Sequence, residues 1–165
     1  MPAYLRDLLW KTSNAYTYMP SCYIQLVVQL LAEHPHEVLF LVLNYDDLLQ
    51  KSLHSFQSTF TFTKTGDYVA AGRTAKVVKL HGSIDWFKPL PIDPRSSWVD
   101  MVREIDVFEK PEEHQIIINP RVDQVIHSNV GDGKGYPLLT VPLAGKSPAD
   151  VVCPSSHLQT AREFL

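Results

Sequence analysis

Cysteine is scarce in this chain: Cys22 and Cys153 are the only two in 165 residues. No Cys-x-x-Cys pair exists, so a structural zinc site of four cysteines is excluded by count. Met1–Trp10 lacks the basic start, apolar run and small-residue cleavage site of a signal peptide. Both thiols are therefore expected to be reduced and buried or half-buried, and the compartment to be the cytosol. Glycine is also sparse, with seven residues and none before Gly66. No glycine-rich strand-to-helix turn opens the chain. Long apolar runs are missing too. Val38–Leu43 is six residues long, against the roughly 20 that a membrane-spanning helix needs. Basic residues are not in excess: 15 Lys and Arg stand against 18 Asp and Glu, a net charge of −3. Nothing there attracts nucleic acid in general. Internal repeats and low-complexity tracts are likewise absent.

What is present is an ordinary globular composition, 45% hydrophobic and 20% charged, at a length that suits one domain. Such a domain buries roughly 70% of its extended-chain surface. Residues 1–20 read two ways. Tyr4, Leu5, Leu8 and Leu9 recur at helical spacing and Pro2 suits a first turn, whereas Asn14, Tyr16 and Tyr18 alternate with small residues. Ser21 is a plausible N-cap, and Ile24, Val27, Val28, Leu30 and Leu31 mark a helix with a broad buried face, ended at His34-Pro35.

Val38–Leu43 is apolar at every position, as in a parallel strand covered on both faces. Leu48, Leu49 and Leu53 then line one face of a helix that begins near Asp46 and Asp47. Residues 55–75 interleave Phe56, Phe60 and Phe62 with Thr and Ser, a loop or a short hairpin. A second buried strand covers Lys76–Leu80. Residues 87–114 read as a long irregular or weakly helical insertion. Gln115–Ile118 is a third strand. Gly131, Gly133 and Gly135 form a flexible turn, and Leu138–Val141 is a weaker fourth strand. Ser155 or Ser156 caps a final helix, with Gln159 at capping-box distance from Ser156. Strands alternating with helices predict an α/β fold with a mainly parallel sheet.

Two strand ends carry the chemistry. Val38–Leu43 runs straight into Asn44-Tyr45-Asp46-Asp47. The strand to Leu80 stops at His81-Gly82, where glycine suits a sharp exit. Open α/β sheets bind ligands at such carboxyl ends, and the two are expected to form one site. Each residue also has a plainer role. His81 could cap a strand end, Asn44 could be a turn residue, and Asp47 is foremost a helix cap, a role Asp46 shares equally with a site role. Asp85-Trp86 reads as a buried loop anchor and Cys153 as packing. Arg121 suits a phosphate or a surface ion pair equally. His34-Pro35-His36 reads as a solvated loop, and Asp100–Lys110 as an exposed face.

Leu43-Asn44-Tyr45-Asp46-Asp47-Leu48-Leu49 and Lys79-Leu80-His81-Gly82-Ser83-Ile84-Asp85-Trp86 together resemble the sirtuin-like (silent information regulator 2-like) domain. The likeness is to the zinc-free branch found in bacterial and phage-defence proteins. Ile117-Ile118-Asn119-Pro120-Arg121, the segment Tyr136–Lys146 and Val152-Cys153-Pro154 fit the same branch. The resemblance implies a single NAD-binding domain over 1–165, with a Rossmann-like sheet incomplete at both ends. The family's glycine-rich pyrophosphate loop and its later nucleotide-binding segment are not in this sequence. Val42-Leu43 also stands where the family usually has a polar residue.

By position, Asn44 matches the asparagine that orients water or nicotinamide, and Asp46 the acidic residue near nicotinamide. His81 matches the catalytic base towards the ribose hydroxyls. Tyr45 and Gly82 complete the expected cofactor-binding set, and no metal is implied. The activity implied is an NAD+ glycohydrolase releasing nicotinamide and ADP-ribose. The missing Cys-x-x-Cys pairs favour it over an NAD-dependent protein deacylase. Two other readings stand beside it: a domain that holds NAD or ADP-ribose without turnover, and a remnant kept for protein contacts. The implied partners are NAD+ as substrate and a fused or associated effector or sensor domain. Neither nucleic acid nor a membrane is implied, and homo-oligomerisation is left open.

Overall fold

A computed structural model of the chain describes residues 2–16, 22–90, 111–119, 129–130, 133–140 and 151–165. Ser21, Arg121, Gly131, Val141 and the run Asp100–Lys110, all singled out in the sequence, lie outside the described residues.

The N-terminal segment, which reads two ways in the sequence, is helical: α1 covers Pro2–Tyr16. Its buried stripe is not the apolar one. Arg6, Trp10 and Ser13, one helical turn apart, face inward, while Tyr4 and Leu8 are exposed. Arg6 is fully buried because its guanidinium stacks on Trp10 (4.6 Å) and Phe87 (5.4 Å) and its Nε donates to Ile84 O at 2.9 Å. Helix α2 spans Cys22–Glu33. Only Val27 and Leu31 are fully covered, and Val28 and Cys22 are exposed. Tyr23 and Leu30 pack beside them half-buried, so of the expected face only Val28 turns outward, and only Cys153 of the two thiols is buried.

Strand β1 (Val38–Val42) pairs in parallel with β2 (Ala75–Lys79), in the register Val38↔Ala75 to Val42↔Lys79. Helix α3 (Leu48–Phe56) and a 3-10 turn over Thr65–Val69 make the crossover. The 55–75 stretch is therefore not a hairpin. Phe60 is buried there, and Phe62 packs on Tyr68 at 4.6 Å. Leu49 and Leu53 of α3 meet Val27 and Leu31 of α2 and Phe40 of β1 in one core. β1 is not covered on both faces, for Leu41 is exposed.

The rest of the sheet structure departs from expectation. Gly82 turns the chain immediately into β3 (Gly82–Leu90), which pairs antiparallel with β4 (Ile117–Ile118) and with β6 (Gly133–Leu139). β5 (Asn129–Val130) completes a four-stranded sheet in the order β4-β3-β6-β5. So Asp85-Trp86 lies in a strand and not a loop, and Gly133 and Gly135 lie in β6 and not in a turn. The described sheet is mostly antiparallel. The molecule is mixed α/β, with a parallel pair of strands, a separate antiparallel sheet and packed helices. No described helix is long and apolar enough to cross a membrane.

Helix α4 (Ser155–Phe164) packs on β2 and the 3-10 turn. Neither serine caps it with its own side chain. A carboxylate 42 residues away does so: Glu113 accepts from Ser156 N and Ser155 Oγ, each at 3.0 Å, and from Ser156 Oγ.

Candidate functional site

The parallel pairing brings the carboxyl ends of β1 and β2 side by side. Beyond the strands the zipper continues, with Leu80 N donating to Val42 O at 3.1 Å. The next carbonyl, that of Tyr45, accepts from Ile84 N at 2.9 Å and Ser83 Oγ at 3.3 Å. The segments 44–46 and 80–84 are thereby bound to each other through their backbones. Asn44 is exposed here and His81 half-buried. The Tyr45 ring is tilted against the His81 ring at 6.3 Å between centroids.

His81 is held by its backbone, since His81 O accepts from Thr140 N at 2.9 Å. Its Nδ1 is buried and has no hydrogen-bond partner among the described residues. A buried polar atom left unpaired is costly, so this nitrogen is the conspicuous open valence of the site. Gly82 has φ +80°, and a Cβ there would lie 2.0 Å from Leu138 O. Only glycine lets the chain pass this close to β6. The Tyr45 hydroxyl donates to the carbonyl of the same Thr140. Burial raises its pKa.

Of the acidic pair after Asn44, Asp46 takes the capping half of its two expected roles and Asp47 does not cap. Asp46 Oδ1 accepts from Leu48 N at 3.1 Å and so closes the first turn of α3. Asp47, the residue favoured as the cap, makes no such bond. It is buried, accepts from Ser13 Oγ at 2.6 Å and pairs with Lys51 at 2.9 Å.

Beneath the strand ends lies a buried polar layer that the sequence motifs do not reveal. Lys79 is wholly buried, and its Nζ donates to Asn44 O at 3.3 Å and to Asp46 O. Burial lowers its pKa, opposed by the nearby Asp85, Asp46 and Asp47 carboxylates. Burial raises that of Asp85, against the pull of Lys79. Asp85 Oδ2 accepts from Tyr68 at 3.4 Å while Oδ1 has no partner among the described residues, and Trp86 Nε1 donates to the same Tyr68 hydroxyl at 3.1 Å. His157 of α4 closes the layer. Its Nδ1 accepts from Lys79 N at 3.1 Å and its Nε2 lies 3.1 Å from Thr65 O. That pair of partners fixes the neutral tautomer with the proton on Nε2. Burial lowers its pKa, only partly offset by the bond to Thr65.

A signal for Lys79 does exist in the sequence. In a strand, alternate residues share a face, so Lys79 falls on the buried side with Ala75 and Val77. His157 sits one helical turn from the buried Cys153, a weaker hint.

A cavity of about 740 Å³ is lined by Lys64, Thr65, Gly66, Glu113, Ile116 and Ser155 among others, and by none of the candidate residues. His34 and His36 are exposed, and among the described residues no group of three or more His, Cys, Asp or Glu could hold a metal. No family model, no curated protein and no solved structure matches the chain.

Proposed function

We propose that the ends of β1 and β2 are the nicotinamide-ribose part of an NAD+-cleaving site of the sirtuin-like type, on a Rossmann-like parallel sheet. The reaction is hydrolysis to nicotinamide and ADP-ribose. What carries the reading is the meeting of the two strand ends, with an exposed carboxamide at Asn44 and a half-buried imidazole at His81.

The bond to be broken already carries a cationic leaving group, so the site needs no strong acid. It must steady positive charge on the sugar and position a nucleophile. Asn44 can both accept and donate hydrogen bonds and so orients a water. His81 offers an imidazole nitrogen that can accept a proton from a hydroxyl. The Asp46 carboxylate, one oxygen of which holds Leu48 N, adds negative charge close to the same loop.

The test is nicotinamide release from NAD+ by a protein carrying this chain. His81→Ala is expected to abolish it. Turnover equal to wild type in that variant removes His81 from the mechanism. NAD+ binding without any release identifies a holding module instead.

A further inference from the structure

The chemistry above leaves Lys79 unused. It ends β2, two residues before His81, with its side chain buried beneath the loop that carries Asn44. A buried ammonium is expensive unless its protons and its charge find partners. Here the partners are backbone carbonyls of that loop, those of Asn44 and Asp46. The carbonyl between them, of Tyr45, is taken from the other side by Ile84 N and Ser83 Oγ. Three consecutive carbonyls are thus pinned in alternation, by Lys79 and by the start of β3. Asp85, Asp46 and Asp47 supply the compensating charge. Through its backbone Lys79 leads into His81, and through its side chain it holds Asn44.

We propose that Lys79 is the positioning residue of this site: its buried ammonium grips the Asn44 and Asp46 backbone and fixes the Asn44 carboxamide relative to the His81 imidazole. The catalytic consequence rests on the NAD+-cleaving reading. The positional one rests on the two hydrogen bonds alone.

Side-chain NMR on the 165-residue chain tests it. Wild type is compared with Lys79→Met/Asp85→Asn, which removes the ammonium together with a buried counter-charge. The His157 imidazole accepts from the backbone N–H of Lys79 and reports whether β2 and α4 stay packed. The expected result is an unmoved His157 signal with shifted Asn44 carboxamide and His81 imidazole signals. Unmoved Asn44 and His81 signals in the folded variant overturn the proposal. If the double variant does not fold, the wild type is followed upward in pH through the titration of Lys79. The Asn44 carboxamide signal is then expected to track the Lys79 ammonium signal, and indifference overturns the proposal.

With NAD+ as substrate, the folded variant should lose kcat on the order of 10²-fold, the scale of a small misplacement, with KM changed much less. A loss confined to KM overturns the catalytic part. A wild-type protein carrying this chain that consumes no NAD+ defeats the enzymatic reading, and the NMR shifts alone then decide whether Lys79 holds Asn44 in place.

Discussion

A Cβ at Gly82 would fall 2.0 Å from a backbone carbonyl, at a φ of +80°. Two separate penalties follow from Gly82→Ala. Left-handed backbone costs a residue with a Cβ about 1–2 kcal/mol, and the contact with Leu138 O forces β3 and β6 apart. A loss of at least about 2 kcal/mol is expected in urea denaturation. A change under about 0.5 kcal/mol would mean that the chain does not pass β6 this closely. His157 makes a pH prediction at the same scale. Both of its nitrogens are used in the neutral form, so a proton added on Nδ1 would face the N–H of Lys79. Its folded pKa lies below the unfolded value of about 6.5. Between the two, the unfolded chain binds more protons, so stability rises with pH there. The contribution is complete above about pH 6.5 and is lost as the pH falls through the folded value. His157→Phe removes this slope. It also leaves Lys79 N–H and Thr65 O unpaired, at a cost of about 1–3 kcal/mol each. Urea midpoints at pH 7.5 and 5.5 separate the two effects.

Among the elements, α4 is fastened from a distance. Glu113 holds both serines of its first turn. Burial pushes that carboxyl up but is outweighed by the bonds from Ser156 and Ser155, so its pKa falls below the usual 4.5. A lowered carboxylate pKa contributes stability that is present above the unfolded value and lost as the pH falls through the folded one. This window opens below about 4.5, whereas that of His157 opens below about 6.5. Glu113→Gln should cost about 1 kcal/mol, the scale of a lost helix cap, and should raise amide exchange in α4 first. Exchange unchanged in α4 would show that the helix is held by other contacts.

The same helix marks where local pattern stops being informative. Its existence was legible from Ser155-Ser156 and the residues after them, but its cap was not, because the capping oxygen belongs to another part of the chain. β1, β2 and α3 were legible for the opposite reason: each carries its own local signal, an apolar run for the strands and a helical period for α3. β3 was not. It buries Ser83 and Asp85 beside Ile84 and Trp86, so no alternation of polarity marks it. Its partner β6 begins Gly-Lys-Gly, which reads as a turn until β3 pairs with it. At the strand ends, Asn44 and His81 stood out as polar residues ending apolar runs. Lys79 did not, since one lysine between Val78 and Leu80 looks like an interruption until the face it shares with Val77 is considered.

For the molecule as a whole, the decisive question is where a dinucleotide phosphate would sit. Helix N-termini are the usual place, since their free N–H groups and dipole favour anions. Both helix starts that the structure describes with their caps are already filled by the protein's own carboxylates. Asp46 occupies α3, the helix that leads directly from the candidate site, and Glu113 occupies α4. A phosphate at α3 would have to displace Asp46 and lie near Asp47. The 165-residue chain is therefore expected to bind NAD+ only weakly, with a dissociation constant near millimolar. At 1 mM ligand that adds about 0.4 kcal/mol of stability, against about 4 kcal/mol for micromolar binding. For a domain of this size the two cases correspond to a melting shift of roughly 1–2 °C or of more than about 10 °C. Thermal melts with and without 1 mM NAD+ separate them, with calorimetry for the constant itself. A large shift would mean that the pyrophosphate is gripped by residues other than these helix starts. His81→Ala should barely change a small shift, because the proposed function gives the imidazole a part in cleavage at the nicotinamide-ribose end and not in affinity.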